Sequence, residues 1–188
     1  MRELSPSAGT VIPAFLFRLM LAMASVVAHA VLVQFTPLLE TFDSLPNMNI
    51  LFRLLIGAIF GALVLAPLAR APRRAARGIA LAIVSAAIYY GAIRFVVEGP
   101  AGLDPLASLV IAGVAAALLC GLAVALIAPG RFTPRLGIAL AIAGAIGGVV
   151  FDLKLAFDPH LLIGHAAWQL PVFLALYFES PKATSSSA

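Results

Sequence analysis

Residues 104–130 read DPLASLVIAGVAAALLCGLAVALIAPG. After Asp104 no charged residue occurs until Arg131. A stretch this long and apolar is what a helix needs to cross a bilayer, whose hydrocarbon core takes about 20 residues at about 1.5 Å each. Both ends are punctuated. Asp104 can accept from free amides of the first turn, and Pro105 fits there because its missing N–H would have had no partner. Pro129-Gly130 then stops the helix. Whether this is a buried helix of a soluble domain or one of several membrane spans depends on how often the pattern recurs.

It recurs throughout. The chain has 188 residues, 63% hydrophobic and 11% charged, whereas soluble domains carry about 25% charged and about 45–50% apolar residues. Six apolar runs are long enough to span: 19–39, 51–69, 78–97, 106–128, 135–151 and 160–178. None alternates with the two-residue period of a strand, and backbone in lipid must satisfy its own amides, as helices do. The expected fold is all-α, a polytopic, multi-pass bundle of six transmembrane helices over residues 19–179. A segment 1–18 would precede it and a flexible polar tail 180–188 would follow. Ala22-Met23-Ala24 has the small-residue form of a leader cleavage site, but the apolar run continues to about Leu39, so an uncleaved first helix is expected.

Charges in the connections set the orientation. Arg2 and Arg18 precede the first run, Arg70, Arg73, Arg74 and Arg77 follow the second, and Arg131 and Arg135 follow the fourth. The other connections hold Glu40 with Asp43, Glu98 with Asp104, and Asp152 with Asp158 and one Lys154. Basic residues stay in the cytoplasm, so both termini are expected there. The Ala/Arg-rich composition points to a bacterial source and hence to the cytoplasmic (inner) membrane. The net charge of +4 lies in short clusters, with no basic helix or aromatic–basic face for a nucleic acid. The one cysteine, Cys120, excludes an intrachain disulfide. The expected partners are the lipid bilayer and a second copy or a partner membrane subunit, because six short spans make a small transporter.

Two further patterns concern packing. Gly57 with Gly61 and Gly144 with Gly148 form GxxxG pairs, expected to let helices approach within the monomer. GIALAI occurs at 78–83 and again at 137–142, from duplication or from coincidence in a restricted alphabet.

Polar groups inside a span are costly and mark candidate sites. His29 lies near the middle of the first run, one turn from Ser25. Residues 157–171, FDPHLLIGHAAWQLP, hold the other two histidines. Asp158-Pro159 repeats the helix-opening device of Asp104-Pro105 and Thr133-Pro134. His165, Trp168 and Gln169 share a face, and Pro171 removes a bond to the Ala167 carbonyl and is expected to bend the helix. By helical rise, His29 lies roughly 15 Å and His165 roughly 7 Å below the outer ends of their helices. If those helices touch, His29 should hydrogen-bond Gln169, with His165 above and open to the outside. Arg53, Arg94, Glu98, Asp152, Lys154, Asp158 and His160 surround that mouth, and six of the eight acidic residues lie on this side. Arg94 and Glu98 are placed to pair along one helix. The candidate ligand-binding set is therefore His29, His165, Trp168, Gln169, Asp152 and Arg94, around an outward-facing polar vestibule. The plainer reading makes each histidine a satisfied core residue, Trp168 packing, and the arginines snorkelling cations.

No Ser-His-Asp arrangement, phosphate-cradling loop or cofactor domain is visible. The expected role is therefore non-enzymatic, namely transport, small-molecule binding or assembly. One alternative is a metal-dependent membrane hydrolase, with ligands drawn from His29, His165, His160 and Asp158. Ser25-x-x-x-His29, Asp43 and His165-x-x-x-Gln169 look slightly similar to the Ser-x-x-x-His, Asp and late His-x-x-x-His of the ceramidase and adiponectin-receptor-like superfamily. The similarity covers those residues only. Gln169 stands where the last histidine would, and six runs stand where that superfamily has seven spans. A second alternative is a b-type haem between His29 and His165. Their expected depths differ by roughly 8 Å, which suits one haem plane poorly.

Overall fold

The computed structural model describes residues 8–34, 48–69, 73–127, 132–153 and 162–179. Among the described residues there are six helices and no strand. They are α1 (Ala8–Gln34), α2 (Met48–Phe60), α3 (Arg74–Glu98), α4 (Pro105–Ile127), α5 (Pro134–Asp152) and α6 (Leu162–Glu179). The chain leaves α2 through a π turn, Gly61–Leu65, and a 3-10 turn, Ala66–Leu68. α1, α3, α4 and α5 are long and apolar enough to cross a membrane. The apolar helices 53–68 and 162–178 are shorter. The architecture is that expected of a helical membrane protein.

Each helix packs on the next in chain order, and α6 returns to α1, closing a ring. Neighbours run antiparallel. The first turns of α1 meet the last turns of α6, where Phe15 touches Phe173, Tyr177 and Phe178 at ring distances of 6.3, 5.1 and 5.6 Å. Phe60 of α2 and Trp168 of α6 meet across the interior at 5.1 Å. Leu81, Leu140, Val172, Phe173 and Leu176 complete the core. Ile79, Ile83, Ile138 and Ile142 face outward. The two GIALAI copies thus pack alike, leucine inward and isoleucines outward.

The helix starts follow the capping chemistry. Asp104 Oδ2 accepts from Ala107 N–H at 3.1 Å, and Thr133 Oγ1 accepts from Leu136 N–H at 3.1 Å. Pro105 and Pro134 are first residues of their helices. The third copy of the device, Asp158-Pro159, lies outside the described residues. α3 has no side-chain cap and begins after Arg73, whose φ of 66° is left-handed.

α1 begins by Ala8, ahead of the apolar run at 19–39, so part of the segment expected to precede the bundle is helical. Arg18 lies within this helix, its guanidinium 5.6 Å over the Tyr177 ring, where a cation finds both stacking and an apolar floor. Pro171 lies inside α6, which is helical on both sides of it.

The GxxxG pairs do pack within the monomer. A Cβ on Gly57 would come within 2.7 Å of Ala86 Cα on α3, and one on Gly61 within 2.5 Å of Ala82 Cα. On the other side of the ring, a Cβ on Gly144 would strike the Gly113 carbonyl oxygen of α4, and one on Gly148 the Leu109 carbonyl and Val110 backbone. Such contacts bring helix backbones together as small residues do in membranes.

Candidate functional site

α1 and α6 meet along a seam of two unlike halves. At the end where α1 begins, the seam is the aromatic cluster of Phe15, Phe173, Tyr177 and Phe178. Further along it is polar. His29 and Ser25 are 0% exposed, His165 3% and Gln169 1%. Polar side chains are seldom buried this completely without partners. The imidazoles of His29 and His165 are 4.9 Å apart, centre to centre, tilted by 53°. Ser25 precedes His29 by one helical turn and Gln169 follows His165 by one, so antiparallel packing places that pair one turn below the histidines.

One bond orients the cluster. His29 Nδ1 donates to the Ser25 carbonyl oxygen at 2.6 Å. A carbonyl only accepts, so in the neutral ring the proton resides on Nδ1 and Nε2 presents a lone pair; the backbone of Ile56 on α2 also lies close to this ring. Among the described residues, His29 Nε2, His165 Nε2, Ser25 Oγ and Gln169 Oε1 are all buried without a hydrogen-bond partner. Each such atom costs about 1–3 kcal/mol when left unsatisfied. The four belong to two facing helices, two to α1 and two to α6.

Aromatic rings enclose the pair. Tyr89 of α3 meets His29 edge-on at 6.0 Å, and Phe151 of α5 meets His165 edge-on at 5.3 Å. Arg53 of α2, half-buried, lies within electrostatic range of Tyr89. A polar sequence therefore runs from Arg53 through Tyr89 to His29 and His165.

The expected residues separate into groups. His29, His165 and Gln169 do come together. Their ring centres are 4.9 Å apart, however, so the two histidines lie closer in depth than the roughly 8 Å expected. The pair is closed over, with His165 buried instead of open to the outside. The expected His29–Gln169 hydrogen bond is absent among the described residues, since His29 Nε2 and Gln169 Oε1 both lack partners. Trp168 turns the other way and is structural: its Nε1–H donates to the Gly113 carbonyl of α4 at 3.2 Å, and its Cβ and ring occupy the space that Gly147 leaves. Arg94 is exposed, ion-paired with Glu98 as expected, and close to Tyr90 Oη. Asp152 is half-buried at the last residue of α5. His160, Asp158, Lys154 and Asp43 lie outside the described residues.

Sequence reasoning did not nominate Tyr89, which meets His29 from α3 and whose Cβ, with Ala86 and Ser85, fills the space that Gly57 leaves. Among the described residues no three or more His, Cys, Asp or Glu side chains gather as a metal site. The strong donors that converge are the two histidines. No family model, curated protein or solved structure matches the chain.

Proposed function

We propose that the protein is a six-span protein of a bacterial cytoplasmic membrane, with both termini cytoplasmic, that binds a small ligand between α1 and α6. Its role is non-enzymatic: binding, transport or assembly. The observation that carries this reading is the group of four unpartnered polar atoms around the His29–His165 contact. A packed membrane helix gains nothing by burying polar atoms that do not pair with each other, and intramembrane polar residues are costly enough to mark function. The ligand supplies what the protein does not: a donor or Lewis acid for His29 Nε2 and Gln169 Oε1.

Alternating basic and acidic connections support the six-span topology, including helices 53–68 and 162–178, which are the shorter ones. A π turn follows α2 and packs on α1, and such turns recur at functional positions in helices. The pair is closed over in the structure, so a ligand entering from the side on which α6 begins, through the outward-facing polar vestibule, requires α1 and α6 to part there. A bundle this small works with a second copy or a partner subunit. The haem alternative is disfavoured, because rings 4.9 Å apart leave no room for a porphyrin plane between them.

Two experiments test the proposal. A reporter fused after residue 102 should give an external signal; a cytoplasmic signal there contradicts the topology. In a Cys120→Ala background, His165→Cys and Gln169→Cys should react with a small water-soluble thiol reagent added from outside, while Ile138→Cys on the outer apolar face should not. Absence of labelling at both positions from either side would reduce the cluster to a closed structural feature.

A further inference from the structure

We propose that His29 and His165 bind a single closed-shell transition-metal ion, with Gln169 Oε1 and Ser25 Oγ as further donors, and that a monovalent ion is preferred. The inference rests on reading the cluster as a binding site and names the class of its ligand.

Three observations lead to it. The first is the set of unpartnered atoms on four buried side chains of two helices: the acceptor nitrogen of His29, Nε2 of His165, an amide oxygen and a hydroxyl oxygen. A Lewis acid would satisfy His29 Nε2 and Gln169 Oε1, and His165 Nε2 in the tautomer that keeps its proton on Nδ1. The second is the bond from His29 Nδ1 to the Ser25 carbonyl. Metal-ligating histidines commonly donate their other ring N–H to a carbonyl or carboxylate, which fixes the tautomer and turns the lone pair to the ion. The third is distance. Two imidazoles bound through Nε2 to one ion at about 2.0–2.1 Å, with a tetrahedral angle between them, have ring centres about 5 Å apart. A linear arrangement would need about 6 Å on the same bond lengths. The rings are 4.9 Å apart.

The surroundings choose among ions. Imidazole nitrogen suits zinc and copper better than the hard ions that take only oxygen. A closed d shell imposes no geometry of its own; the two imidazoles are the donors that suit such an ion, and the amide and hydroxyl oxygens are weak additional ligands. The converging donors are neutral groups, and no Asp or Glu gathers with them among the described residues. Burying an uncompensated charge costs in proportion to its square, roughly four times more for a dication than for a monocation. That favours Cu(I) over Zn(II).

The test uses the full-length protein in detergent, loaded separately with Cu(I) held under reductant and with Zn(II). Metal analysis after desalting should give one Cu(I) per chain. Competition with a chromophoric Cu(I) chelator should show affinity reduced about 100-fold or more in His29→Ala and His165→Ala and about 10-fold in Gln169→Ala, with Cys120→Ala unchanged. X-ray absorption of the loaded unsubstituted protein needs no variant and should show two imidazoles per ion. Stoichiometric Zn(II) with no Cu(I) would overturn the charge preference. Binding that survives both histidine variants, or an absorption spectrum without imidazole scattering, would overturn the site. Failure of both metals while Gln169→Cys still reacts from outside would overturn the metal and leave the ligand-binding reading standing.

Discussion

The α4–α5 contact and the α1–α6 seam join helices in opposite ways. Between α4 and α5, Gly113 faces Gly144 and Gly148 faces Val110, so at these positions backbone meets backbone. Between α1 and α6, four polar side chains fill the contact and leave four of their own atoms without partners. The first contact is built for proximity, and any added atom must push two backbones apart. The second holds polar groups at a cost to stability. In one small bundle the apolar, glycine-lined contact is the frame, and the polar seam is the place where stability has been given up for something else.

That contrast can be broken by substitution. Gly144→Leu should be the most damaging change, because its Cβ strikes the Gly113 carbonyl and Val114 Cα, backbone atoms that cannot step aside. A loss of about 3 kcal/mol is expected in detergent unfolding, and a loss below about 1 kcal/mol would show that the frame is loose. Trp168→Phe comes next. It removes the bond to the Gly113 carbonyl and part of the ring packed in the space beside Gly147. About 1–2 kcal/mol should be lost, with metal or ligand binding at His29 unchanged; a selective loss of binding would return Trp168 to the site. Arg94→Gln should have the smallest effect. The Arg94–Glu98 pair is about half exposed on both sides, so a thermal melt should move by the equivalent of less than about 0.5 kcal/mol. A larger shift would mean that the pair serves the vestibule.

The frame was more legible in the sequence than the seam. Asp104-Pro105 and Thr133-Pro134 announce α4 and α5 because capping is local chemistry, carried by residues three apart. The glycine pairs announce close packing for the same reason. The start of α1 was not legible, because Arg18 reads as the edge of a span. Its guanidinium rests over Tyr177, 159 positions later in the chain. That misplaced edge belongs to the same difficulty as the error in depth. Counting residues from assumed helix ends put His29 and His165 at different levels, whereas packing puts their rings side by side. Sequence spacing also placed Trp168 with His165 and Gln169, although its indole turns to Gly113, a residue no local pattern could nominate. Membership of a face is local; what that face meets is not.

The central claim is that the polar seam is kept for binding and not for holding the helices together. The most direct measurement is the unfolding free energy of metal-free protein carrying Ser25→Ala and Gln169→Met, beside the unsubstituted chain. Ser25→Ala removes a buried hydroxyl without a partner; Gln169→Met removes Oε1, also without one, together with the amide Nε2, and keeps most of the side-chain volume. The account predicts that the double variant is more stable, by about 1–3 kcal/mol, and that it binds metal more weakly. A double variant less stable than the original by about 1 kcal/mol or more would show that these groups pair with structural partners, and would contradict the claim.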